Sequence, residues 1–373
     1  MADVSIGEEN FKGIKSLFYN VFGKNAQEAK KIYEDYDLRD KVPHPCHHRK
    51  IYDGDNEAIH NQEGLCYNEL ERRKAIKIDI SQDSDFKIPK ILHCVWLSRS
   101  VDSSSDRELK FPMHNPFFES NIKNTPTWTH YLWTNNLDYI PAQIKQWGEK
   151  YGVEVRDIRD LAGSDNHFAQ QHHFSELIEK INEFAEQNEF GLATDITRYL
   201  AMHLYGGVYI DGDYKIDNLD GLEKIMRSYS SFFGIERYFD SRVGNAFLAA
   251  EKENPVIMKV AELVERNIMY PVTAPEYVNY AMSHEQSTLV QTGPIALSVA
   301  FNTAAREGQD LLLPYGYIFS FPQPEMYRMP CKHWSHPRLG DGSYSICRNI
   351  GVIGEHMFAT TWITDRSELD FYC

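Results

Sequence analysis

Residues 191–214, GLATDITRYLAMHLYGGVYIDGDY, decide the reading of this chain. The first part is rich in good helix formers and closes on Gly206-Gly207, the residue type a helix terminus prefers. Asp195 and Arg198 lie three apart on that helix, so they share a face and neighbour each other. In isolation such a pair is a surface ion pair worth a few tenths of a kcal/mol. Val208-Tyr209-Ile210 then reads as an apolar strand ending in Asp211-Gly212-Asp213. Two carboxylates one residue apart, where a strand gives way to a loop, can both turn toward one divalent cation. Their hard oxygens suit Mg²⁺ or Mn²⁺. An isolated D-x-D is more often only a polar turn.

Outward from this window, strands and helices alternate. KIPKILHCVWL from Lys87 predicts a first strand, and THYLWTNN and VEVRDI predict two more. Phe174, Leu177, Ile178, Ile181 and Phe184 form one apolar helical stripe. VYIDGDYKID reads as a strand, SSFFGIE and NAFLAAE as short strands, and ENPVIMKVAELVERN and PIALSVAFNTAAREG as helices. Such alternation implies an α/β sheet, with ligands at the carboxyl ends of its strands. Residues 1–84 have a different texture. Phe11, Ile14, Leu17, Phe18, Val21 and Phe22 recur at helical spacing, and a Pro/His-rich break follows at VPHPCHHRK. The expected organisation is a helical appendage over 1–84 and one large domain over 85–373.

Composition narrows the function classes. The chain has 373 residues, 39 basic against 54 acidic, and a net charge of −15. Residues 1–84 hold 16 acids and 13 bases, leaving −12 to the remainder. Acidity of this degree argues against a nucleic-acid partner, which needs a concentrated basic face. Length permits a full enzyme core, burying about 75% of the unfolded surface. Six scattered cysteines without a C-x-x-C pair suit free thiols better than a disulfide framework. No apolar run long enough to span a bilayer, no leader pattern and no N-x-[ST] sequon is visible, so the expectation is a soluble protein of a reducing compartment. His44, Cys46, His47 and His48 are spaced too tightly for a tetrahedral zinc site without a ligand from elsewhere. The N-terminal helix could touch a membrane surface but lacks a rich basic face, so packing on the core is the better reading.

The stretch from Ala193 to Tyr214, with A-[ST]-D-x-x-R followed by Y-G-G-[VI]-Y-[IL]-D-x-D, resembles the sugar-binding DXD region of a glycosyltransferase superfamily. That superfamily includes yeast-type α-mannosyltransferases and the catalytic domains of the large clostridial glucosylating toxins. IPKILHCVWL resembles the family's first strand, Thr292-Gly293-Pro294 its T-G-P before a helix, and HMFATTW its closing H-x(5)-W segment. The resemblance covers roughly residues 85–365 and implies a GT-A (Rossmann-like) nucleotide-sugar domain. It implies a metal-dependent, retaining transfer from a donor such as UDP-glucose or UDP-GlcNAc, with Mn²⁺ or Mg²⁺ as cofactor. Asp213 would be the direct metal ligand, with Asp211 on the donor ribose and the metal and His356 helping to hold the metal. Asp195 and Arg198, flanked by Thr194, would bind the sugar hydroxyls. Trp96 would stack on the nucleobase, Tyr209 would line the nucleotide pocket, and Asn245 would contact the sugar. Thr360 and Trp362 would close over the donor from the C-terminal segment. On residues alone, Trp96 and Tyr209 also suit core aromatics, and His356 a structural histidine.

The chain departs from the family at Ser98-Arg99, where relatives continue with glycine after V-W-[IL], and at Thr360, where the toxins place serine. By resemblance the acceptor is a host protein, for instance a small GTPase, modified by an effector-like enzyme delivered from a bacterium. A bacterial surface-polysaccharide glycosyltransferase is the alternative. A haloacid-dehalogenase-type hydrolase would need D-x-D-x-[TV], and the fifth position here is Lys215. A non-catalytic sugar-nucleotide binder is disfavoured by the intact Asp195, Arg198, Asp211 and Asp213 set.

Overall fold

The computed structural model describes residues 85–100, 116–135, 142–234, 243–270, 291–306, 308–313 and 353–356, and residues 137, 140, 288 and 318. The helical appendage expected over 1–84, the histidine-rich break, Thr360 and Trp362 lie outside the described residues. Nine strands and eight α-helices are described. In chain order they are β1 (Ile91–Val95), α1 (Pro116–Asn124), β2 (Thr129–Thr134), α2 (Ala142–Tyr151), β3 (Val153–Asp157), α3 (His167–Gln171), α4 (Phe174–Glu186), α5 (Phe190–Tyr205), β4 (Gly207–Ile210), β5 (Tyr214–Ile216), α6 (Leu219–Ser228), β6 (Ser231–Gly234), β7 (Phe247–Ala250), α7 (Pro255–Met269), α8 (Pro294–Ala304), β8 (Asp310–Leu313) and β9 (Gly354–His356).

Seven strands form one sheet in the order β3-β2-β1-β4-β7-β6-β8. The first half, β3 to β4, is parallel, β7 runs antiparallel to both its neighbours, and β6 and β8 are parallel again. This is the α/β class expected of a GT-A-type domain. The chain lays β1, β2 and β3 outward in one direction and then returns to place β4 on the other side of β1. The order therefore reverses between β1 and β4, and their carboxyl ends flank the crevice where open α/β sheets bind ligands.

Alternation along the strands divides the core. Tyr209 of β4 faces a cluster with Tyr199, Leu200, Val256, Val260, Leu297 and Phe301, supplied largely by α5, α7 and α8. Val208 and Ile210 face the opposite layer, with Leu92, Leu222, Ile225, Phe232 and Phe247. Each such apolar side chain gains about 1.5–3 kcal/mol on full burial. The expected stripe on α4 is observed, with Phe174, Leu177, Ile178 and Ile181 buried and Phe184 at the margin.

The passage from α5 into β4 is fixed by close approach. Gly206 has φ +64° and Gly207 φ +105°, backbone that L side chains rarely adopt. A Cβ at Gly207 would lie 2.6 Å from the carbonyl oxygen of Ile91, and one at Gly206 would lie 2.5 Å from the Lys252 nitrogen. The carbonyl of Gly206 accepts from His93 Nε2 at 2.7 Å, while His93 Nδ1 accepts from the Trp133 indole at 3.0 Å. That double engagement requires a neutral ring, and burial lowers its pKa to about 4. The glycine pair and the histidine of ILHCVW thus lock the helix end onto β1.

One expectation is corrected. VYIDGDYKID reads as one strand, yet the structure divides it at Asp211–Asp213 into β4 and β5. β4 stays in the main sheet, whereas β5 leaves it to pair with β9 in a separate antiparallel ribbon. The carboxylates sit where β4 gives way to a turn, as expected, and that turn leads into the second sheet.

Candidate active site

The site is built at the β1/β4 crevice from four parts of the chain. α5 presents Asp195 and Arg198 on one face, and Arg198 Nη2 lies 3.0 Å from Asp195 Oδ1. The pair is not a surface one: Asp195 and Arg198 are each 4% exposed. Arg198 Nη1 also reaches Asp211 Oδ1 at 3.3 Å and donates to the carbonyl of Asn245. The guanidinium lies over the Tyr209 ring, 4.6 Å from its centroid. Tyr209 in turn donates its hydroxyl proton to Asp211 Oδ1 at 2.5 Å. One guanidinium therefore ties the helix carboxylate, the first aspartate of D-x-D and the loop before β7 into one unit.

Asp195 is held from three directions. Oδ1 accepts from Asn245 Nδ2 at 2.8 Å as well as from Arg198, and Oδ2 accepts from the Thr292 hydroxyl at 2.8 Å. Burial nevertheless pushes its pKa up to about 6, because desolvation outweighs the stabilising Arg198 charge and the two neutral donors. Burial works against the charge on Arg198 too, but Asp211, Tyr209 and Asp195 outweigh it and raise its pKa. The guanidinium is a permanent cation.

The second pole is less buried. Asp211 and Asp213 are part-exposed, and His356 Nε2 lies 3.1 Å from Asp213 Oδ1 and 3.9 Å from Asp211 Oδ2. Asp211 divides its two oxygens, Oδ1 to the protein and Oδ2 toward His356. One ligand atom from each of Asp211, Asp213 and His356 lies within 4.8 Å of the others. Two carboxylate oxygens and an imidazole nitrogen fit a divalent cation of the Mn²⁺ type, the nitrogen favouring it over Mg²⁺. His356 arrives by the β5–β9 ribbon, in which Tyr214 pairs with His356. The other edge of β5 is gripped by Asn121 of α1. Its Nδ2 donates to the Tyr214 carbonyl at 2.7 Å and its Oδ1 accepts from the Ile216 N–H at 2.8 Å.

The structure thus brings together Asp195, Arg198, Tyr209, Asp211, Asp213, Asn245 and His356. Thr194 contributes its carbonyl to Arg198 Nε at 3.5 Å, and its side chain is half-buried. Trp96 follows β1 directly, but its side chain is 7% exposed in an apolar cluster with Cys94, Phe118, Ile122, Leu132 and Trp147. Thr292 and Asn121 are absent from the residues expected from sequence. Thr292 had a signal in its T-G-P; Asn121 had none, since a lone asparagine in a helix carries no pattern.

Residues 113–228 match the family described as the glycosyltransferase sugar-binding region containing a DXD motif. The matched segment contains Asp195, Arg198, Asp211 and Asp213, so the resemblance drawn from those residues is borne out there. Asn245, Thr292 and His356 lie beyond it. Similar solved structures include one titled PaToxG glycosyltransferase, 16% identical over 66% of this chain and 78% of that one, with a TM-score of 0.40. Another is the UDP-bound glycosyltransferase domain from the YGT toxin, 13% identical over 61% of this chain and 79% of that one, with a TM-score of 0.41. No curated protein matches the sequence.

Proposed function

We propose that this chain is a metal-dependent, retaining glycosyltransferase that takes a sugar from a nucleotide donor, UDP-glucose or UDP-GlcNAc, and places it on an acceptor. The observation that carries the reading is the convergence of Arg198 on both Asp195 and Asp211, with Asp213 and His356 beside them. A sugar-binding pole and a cation-binding pole lie next to each other, as a sugar diphosphate requires.

Asp211, Asp213 and His356 would hold the cation, which supplies charge neutralisation for the diphosphate as it leaves. Asp195 accepts a hydroxyl of the donor sugar, and Arg198 fixes the carboxylate that does so. With Oδ1 engaged by two donors and Oδ2 by a third, Asp195 is a binding group rather than an attacking nucleophile. This supports front-face displacement. The acceptor oxygen bonds to the anomeric carbon as the bond to the diphosphate oxygen breaks, and the acceptor proton passes to the diphosphate. Trp96 and Tyr209 are assigned to the nucleotide side, Thr194 to the sugar beside Asp195 and Arg198, and Thr360 and Trp362 to closure over the donor. The family resemblance supports a host protein as acceptor and an effector-like role. Transfer to a bacterial surface polysaccharide is the competing outcome.

Incubation with Mn²⁺ and a panel of nucleotide sugars tests the donor reading directly. Wild-type protein splits one donor into nucleoside diphosphate and sugar, and Asp213→Ala loses that splitting by at least ~100-fold, as expected when several kcal/mol of charge stabilisation are withdrawn. Absence of splitting with every donor, together with no donor binding, would sink the proposal. Labelled donor incubated with host-cell lysate then separates protein from oligosaccharide as the acceptor.

A further inference from the structure

Thr292 lies 97 positions from Asp195 in sequence, in the turn that leads into α8, and its side chain is fully buried. Its hydroxyl has one proton to give. Two acceptors are in reach, Asp195 Oδ2 at 2.8 Å and the Thr288 carbonyl at 3.3 Å. The nearer acceptor is also the charged one, and charge-assisted bonds are about twice as strong as neutral ones. The loop is itself anchored, since the Thr292 and Gly293 N–H groups both donate to the Thr288 carbonyl, at 3.2 and 2.8 Å. Pro294 at the first turn of α8 presets the helix start.

A carboxylate offers about four lone-pair sites. Arg198 and Asn245 fill the two on Oδ1, and Thr292 fills one on Oδ2. Among the described residues, one site on Oδ2 remains. Without the hydroxyl, the carboxylate could turn about its last torsion while keeping its bonds to Arg198 and Asn245, and the remaining site would lose its aim.

Resting on the sugar role given above to Asp195, we infer that Thr292 is a positioning residue that fixes the last open acceptor site of Asp195 toward the donor sugar, making the site selective for a sugar with a hydroxyl or N–H donor at the contacted carbon. The nucleotide does not depend on this contact. The consequence is therefore specific: Thr292 matters for the sugar ester of the nucleoside diphosphate and not for the nucleoside diphosphate alone.

Calorimetric titration of UDP and of the donor sugar nucleotide, both with Mn²⁺, tests this in wild type, Thr292→Val and Thr292→Ser. Valine keeps the shape and removes the donor, while serine keeps the donor. Loss of one hydrogen bond to a charged group predicts sugar-nucleotide affinity weaker by roughly tenfold or more in the valine variant, with UDP affinity unchanged and the serine variant close to wild type. Equal weakening of UDP and sugar nucleotide in the valine variant, or weakening in serine as large as in valine, would show a packing role and overturn the inference. A folded valine variant that binds both ligands like wild type would do so as well. If wild type itself binds neither ligand, the failure belongs to the donor reading. If Thr292→Val does not fold, Thr292→Ala provides a second removal of the same hydroxyl, expected to weaken the sugar nucleotide selectively. Its failure to do so counts equally against the inference.

Discussion

Asp195 carries a conflict between folding and binding. Its pKa is pushed up to about 6, mainly by burial and against the pull of Arg198. Between pH ~4 and ~6 the folded chain thus holds a proton that the unfolded chain releases, so this group's contribution to stability is present at low pH and declines as pH rises through that window. At neutral pH the ionised carboxylate is a net cost to the fold, because desolvation outweighs the Arg198 charge and the two neutral donors. Asp195→Asn removes that cost while keeping the shape. Melting temperature measured across pH 4–7 is expected to decline less steeply in the variant, although donor binding collapses. Parallel curves for wild type and variant would contradict this. Local pattern made two adjacencies legible, Asp195 beside Arg198 by helical spacing and Asp211 near Asp213 in the D-x-D turn, while their assignment to a site came from the family resemblance. Asn245 and His356 were reachable only through family resemblance. Thr292 and Asn121 act across long sequence separations that no spacing rule reports.

At the level of elements, the site depends on two junctions. The first is the Gly206-Gly207 passage from α5 to β4, where added Cβ atoms would collide with the backbone of β1 and of the segment after β7. Gly207→Ala is expected to destabilise the protein by several kcal/mol, combining a positive-φ penalty with a backbone overlap. Urea unfolding measures it, and a change below ~1 kcal/mol would mean that the junction relaxes. The second junction is the β5–β9 ribbon, which carries His356 to Asp213 and is braced by Asn121. Asn121→Ala removes two bonds to the β5 backbone. Outer partners of metal ligands typically matter 10–100-fold for metal affinity, and Mn²⁺ titration followed by electron paramagnetic resonance should show about a tenfold loss. Unchanged affinity would uncouple the ribbon from the metal pole. Here the sequence misled for a physical reason. Nothing in the alternation of VYIDGDYKID marks where a strand changes partners, because β4 and β5 are both largely buried and both extended. The strands β1 to β4, β6 and β7 and the helices α4, α5, α7 and α8 were readable from their apolar patterns, whereas α1, α2, α3, α6, β8 and β9 were not among the expected elements.

At the scale of the molecule, a net charge of −15 would repel a sugar diphosphate without a compensating cation. The sheet answers this at the crevice between β1 and β4, where α5 contributes Arg198 and the turn after β4 gathers a candidate cation site. On the proposed function the acids of this region divide, Asp195 to the sugar and Asp211 with Asp213 to the cation. The division can be measured with the nucleotide alone. Calorimetric titration of UDP into the protein, once with Mn²⁺ and once with EDTA, is expected to give an affinity at least ~10-fold higher with the metal, an advantage that Asp213→Ala abolishes while leaving the protein folded. Equal affinity in Mn²⁺ and EDTA, or a metal effect that survives Asp213→Ala, would contradict the account.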